Sequence, residues 1–89
     1  EARAAANGRA ALATGDAHVS YGNYAKAAEM YRLALTKGGV DASMINTRLG
    51  YALGRAGDKA GGLAALALVT TPPRSQLADY YRIWLNNQP

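Results

Sequence analysis

Apolar residues recur along this chain at spacings of three and four rather than two, and alanine and leucine outnumber the β-branched types. Helix is therefore the only regular structure the pattern supports. Four breaks cut it, at Gly22-Asn23, Gly38-Gly39, Gly57-Asp58 and Pro72-Pro73. Gly22 and Gly57 supply the left-handed residue that ends a helix, and Asn23 and Asp58 can each cap the following helix through a side-chain oxygen. Asp41 is a further N-cap candidate, and Thr71 can cap a helix carrying Pro72 in its first turn. The pattern predicts an all-α chain of five helices, near residues 4–21, 24–37, 42–56, 59–70 and 73–86.

Glycine inside a helix costs about 1 kcal/mol relative to alanine. Its recurrence at Gly15, Gly50 and Gly62, with Ala27 beside them, predicts places where helix axes approach closely. Leu12, Tyr24, Tyr31, Leu35, Leu49, Leu53, Leu63 and Leu66 are the side chains expected to fill the space between. The last helix has an apolar stripe of Leu77, Tyr80, Tyr81, Trp84 and Leu85 opposite Arg74, Gln76, Asp79, Arg82 and Asn86, as expected of a helix that closes one end of a stack. At the other end, Ala4, Ala5, Ala11 and Leu12 form an edge with no matching cover, which predicts upstream repeats or a homodimer through the first helix.

The two halves repeat. Gly15 recurs as Gly50 and Gly22-Asn23 as Gly57-Asp58, both displaced by 35 residues, with two helices per unit. Leu49-Gly50 and the turn Gly57-Asp58 in the second unit, and Gly22-Asn23-Tyr24, Ala27, Tyr31 and Ala34 in the first, follow a familiar spacing. On these residues the chain resembles the tetratricopeptide repeat family over residues 8–74, in a bacterial form. The resemblance implies a single domain of two helix-turn-helix repeats, at about 8–41 and 42–72, with a capping helix at about 73–86, as a fragment of a right-handed α-solenoid. It also implies a protein-binding scaffold, with the first helix of each unit lining a concave face. Ala11 and Asn46 depart from the pattern where the family has its first aromatic, and His18 and Leu53 where it has a first-helix tyrosine. The family's carboxylate clamp is not reproduced, because Leu12, Asp16 and Thr47 stand at its lysine and asparagine places.

Composition narrows the function classes. Among 89 residues, 20 alanines and 10 glycines leave few large side chains, while 49% apolar and 18% charged residues fit a soluble globular domain rather than a disordered tail. No apolar run is long enough to insert in a membrane. The net charge of +4 is spread over scattered arginines and lysines instead of a basic cluster, which argues against nucleic acid. The absence of cysteine excludes disulfides and thiolate chemistry and leaves the compartment, cytoplasmic or periplasmic, open. Much Ala, Gly and Arg with no Phe is the usage of a GC-rich genome, and a chain beginning at Glu1 is expected to be a piece of something longer.

Nothing in the sequence assembles a catalytic or metal centre. His18 is the only histidine, no His-x-x-x-His pair exists, and Ser20, Ser43 and Ser75 have no nucleophile elbow. The glycine-rich stretches lack the Gly-Lys-Ser/Thr ending of a phosphate loop. No cofactor, no catalytic residue and no metal ligand is expected, and the chain is not expected to be an enzyme. Arg48, Tyr51 and Arg55 share one face of the third helix at spacings of three, four and seven. With Asp16 on the first helix, and Asp79 and Tyr80 on a far wall supplied by the last, they form a candidate groove for a protein or peptide partner, one expected to carry acidic groups. The alternative is a solvated face on a purely structural end of a longer solenoid.

Overall fold

The computed structural model describes residues 8–70 and 74–88, and over these the chain is all-α, with five helices and no strand. They are α1 (Arg9–Ser20), α2 (Tyr24–Lys37), α3 (Ala42–Arg55), α4 (Lys59–Ala67) and α5 (Arg74–Asn86). The expected Thr71-Pro72 cap, and the expected first turn at residues 4–7 with Ala4 and Ala5, lie outside the described residues.

Matching turns close two helical hairpins. After α1, the Gly22 amide donates to the Val19 carbonyl at 3.0 Å and the Asn23 amide to His18 at 2.8 Å. After α3, Gly57 donates to Gly54 at 3.2 Å and Asp58 to Leu53 at 2.8 Å. This pair of bonds requires a left-handed residue, which Gly22 and Gly57 provide at φ of 77° and 96°. Asp58 then caps α4 by accepting from the Gly61 amide at 2.9 Å, and Asp41 caps α3 by accepting from Met44 at 3.2 Å. Asn23 departs from expectation: it makes no side-chain cap bond, and the start of α2 is held by its first residue, Tyr24, which packs against Tyr51 and beneath Arg55.

α1 packs on α2, α3 on α4, and α2 on α3, so the hairpins stack through their inner helices, while α5 lies across both α3 and α4. The α3–α4 contact is almost backbone to backbone. A β-carbon on Gly62 would lie 2.9 Å from the Gly50 carbonyl oxygen and 2.7 Å from Leu85, and one on Gly50 would lie 3.1 Å from the Gly62 carbonyl oxygen. In the first hairpin, Gly15 lies flat against the Tyr31 ring, where a β-carbon would come within 2.6 Å of it. The main core gathers Ala27, Tyr31 and Ala34 of α2 with Ile45, Leu49 and Ala52 of α3, and a smaller one joins Leu66 and Val69 to Ala78 and Leu85.

Two faces are turned differently from the sequence reading. α5 buries Ala78 and Leu85, with Tyr81 and Trp84 half-buried beside them, and leaves Tyr80 at 66% and Leu77 at 46% exposure. The small Ala78 can sit closest to α3 and α4, which rotates the larger Leu77 and Tyr80 outward. Ala11, expected at the uncovered edge, is buried in the main core and Leu12 packs against it, so the outer face of α1 carries Ala10, Ala13 and Ala17 beside Thr14.

Candidate functional site: a cavity between α1, α3 and α5

Gly15 lets α1 lie on the Tyr31 ring, and the next residue, Asp16, therefore meets the ring's hydroxyl. The Tyr31 hydroxyl donates to Asp16 Oδ1 at 2.5 Å, and Arg48 of α3 donates through Nη1 to Asp16 Oδ2 at 2.6 Å. One carboxylate thus ties together α1, α2 and α3. Burial raises the Tyr31 phenol well above its ordinary pKa, the hydrogen bond to Asp16 and its negative charge raise it further, and the Arg48 charge offsets part of the rise.

These three residues form one side of a cavity of about 460 Å³. Val19 of α1, Met44, Thr47 and Tyr51 of α3, and Leu77 and Tyr81 of α5 complete it. The Thr47 hydroxyl donates to the Ser43 carbonyl at 2.8 Å, and among the described residues the charged groups of the walls are the paired Asp16 and Arg48. Volume and lining fall in the range usual for small-ligand sites, apolar with a few placed polar groups.

Tyr51 joins this cavity to an aromatic cluster. Its ring lies 5.5 Å from that of Tyr81, 5.7 Å from Trp84 and 6.1 Å from Tyr24, the last edge-on. The Arg55 guanidinium sits 4.8 Å above Tyr24 and 5.8 Å from Tyr51, and donates to the Tyr51 hydroxyl at 3.0 Å.

Of the residues singled out from the sequence, the fold brings Asp16, Arg48 and Tyr51 to one cavity. Arg55 faces the opposite side of the aromatic cluster, beside a shallower depression of about 330 Å³ at the α1–α2 turn. Asp79 is engaged with its neighbour Arg82 on the exposed side of α5, and Tyr80 leans on Tyr81 from outside, so neither lines the cavity. Their expected place is taken by Leu77 and Tyr81. Met44 and Thr47 could have been found from the sequence, since Met44, Thr47, Arg48 and Tyr51 continue one stripe at intervals of three and four. Tyr31 could not, because a large residue on a core face reads as filler.

Among the described residues no three His, Cys, Asp or Glu side chains converge, and no helix is long and apolar enough to cross a membrane. No family model, curated protein or solved structure matches the chain.

Proposed function

We propose that this chain is a protein–protein interaction module that holds a peptide segment of a partner in the cavity between α1, α3 and α5. The observation that carries the reading is the cavity itself, a preformed recess of about 460 Å³ with apolar walls and one polar corner. Its main walls are the first helix of each sequence unit and the helix after them, the face that a tetratricopeptide-like scaffold would present to a ligand. On this reading the domain is an adaptor within a longer helical array rather than an enzyme, and requires no cofactor. Selection from a random-peptide display library tests it. Enriched peptides should lose binding to Val19→Trp, in which an indole fills the recess. Peptides that bind this variant undiminished, or a library that yields no enrichment, would remove the reading.

A second reading, self-association, draws on the outer face of α1, where Ala10, Ala13 and Ala17 are exposed together. A light-scattering mass of one chain at high concentration would exclude a homodimer through this face.

A further inference from the structure

We infer that Asp16 sets the ligand chemistry of the cavity: by neutralising Arg48 it makes the site select an apolar side chain flanked by a neutral hydrogen-bond acceptor over one flanked by a carboxylate. This rests on the cavity being the ligand site proposed above. Among the described residues Asp16 and Arg48 are the charged members of its lining, and they lie 2.6 Å apart, so a ligand arriving there meets a closed ion pair. Both Asp16 oxygens are held, one by the Tyr31 hydroxyl from α2 and the other by Arg48 from α3. The carboxylate therefore cannot swing aside for a competing anion without giving up both bonds.

Arg48 nevertheless keeps most of its capacity, since a guanidinium has five N–H donors and its bond to Asp16 uses Nη1. Its side chain is 42% exposed. A peptide carbonyl or primary amide can accept from the remaining donors without facing Asp16 as a like charge. A carboxylate would gain from Arg48 and lose to Asp16 at nearly the same distance. The apolar part of the ligand has its own place among Val19, Met44 and Leu77 and the rings of Tyr51 and Tyr81. The two requirements together describe an uncharged peptide turn or strand carrying a leucine- or methionine-like side chain, in place of the acidic segment that an unpaired Arg48 would attract.

Two small probes test this, N-acetyl-leucinamide and N-acetyl-leucine, which differ in the amide or carboxylate beside the same side chain. Each is titrated into the ¹⁵N-labelled protein at neutral pH and low salt, following the amide signals of Val19, Met44, Tyr51 and Tyr81. The wild-type chain should bind the amide about two- to fivefold more tightly, the size of effect expected for partly exposed charges. Asp16→Asn retains an oxygen for the Tyr31 hydroxyl but frees Arg48, and should shift preference to the carboxylate. Arg48→Gln removes the cation and leaves the Asp16 charge uncompensated, and should widen the preference for the amide. A wild-type chain that favours the carboxylate overturns the inference without any variant. So does a preference unchanged in Asp16→Asn, and either result leaves the cavity standing as a ligand site. If neither probe moves the cavity signals, the cavity reading falls and this inference with it.

Discussion

Asp16 and Arg48 stand 32 residues apart in the chain and 2.6 Å apart in space, and their pair bridges two hairpins that otherwise meet through α2 and α3. The two bonds to Asp16 are not equal in consequence. Arg48 and Asp16 are both over 40% exposed, so water screens their attraction, whereas Tyr31 is buried to 1%. Arg48→Gln should cost under about 1 kcal/mol. Tyr31→Phe should cost about 1–2 kcal/mol, because it removes a hydrogen bond to a charged acceptor. Urea unfolding of the two variants checks the order, and a larger loss for Arg48→Gln would show that the ion pair dominates.

The same phenol makes stability depend on pH at the alkaline end. Unfolded tyrosines lose their proton near pH 10. Folded Tyr31 keeps its proton beyond that point, because burial, Asp16's hydrogen bond and Asp16's charge all oppose ionisation. Above about pH 10 the unfolded chain thus holds fewer protons at this position than the folded one, and unfolding becomes easier as pH rises. The contribution is fully present below that pH. Stability measured across the range should fall more steeply in the wild-type chain than in Tyr31→Phe, and parallel curves would place the alkaline loss elsewhere.

Gly50 and Gly62 set the distance between α3 and α4 by letting main chains touch. Gly62→Ala gains about 1 kcal/mol of helix propensity, yet must push against the Gly50 carbonyl and Leu85. A net loss of about 1–2 kcal/mol is expected, and Gly50→Leu, which collides with Leu66, should lose about 3 kcal/mol. Thermal melts report both. A stabilised Gly62→Ala would mean the helices can part at little cost.

Leu85 is the anchor of α5, buried to 1% against Gly54 and Gly62. Leu85→Ala should cost about 2–5 kcal/mol. Amide exchange in α5 should accelerate more than in α2, because α5 packs on α3 and α4 and depends on this contact. Uniform acceleration along the chain would indicate that α5 does not open separately.

Arg55 tests the aromatic cluster from its exposed side. Arg55→Ala should remove about 0.5–1 kcal/mol through loss of contact with the Tyr24 and Tyr51 faces, with Arg55→Lys intermediate. Denaturant midpoints of both variants equal to that of the wild type would show the stacking to be without net worth.

The helices and their turns were readable because each depends on a few neighbouring residues. Gly22 and Gly57 sit where the left-handed φ is needed, and Asp41 and Asp58 carry their caps three residues ahead of the amides they accept from. The rotation of α5 was not readable, since residue size favours Leu77 and Tyr80 as core while closeness of approach favours Ala78. For the site, a stripe on one helix identified Arg48 and Tyr51, but the pairing of Arg48 with Asp16 depends on how two hairpins stack. Arg48 therefore looked like a free cation for an acidic partner. Arg55, on the same stripe, turns to Tyr24 instead because α2 begins beside it.

Among the described residues, those around the cavity all belong to helices: Asp16 and Val19 to α1, Tyr31 to α2, Met44, Thr47, Arg48 and Tyr51 to α3, Leu77 and Tyr81 to α5. A ligand held there, as proposed above, would meet these helical walls already in position. Capture should be a single bimolecular event, with an observed rate rising linearly with ligand concentration and a rate constant on the order of 10⁵–10⁷ M⁻¹ s⁻¹. Substitutions in the walls would then leave arrival almost untouched and act on how long the ligand stays.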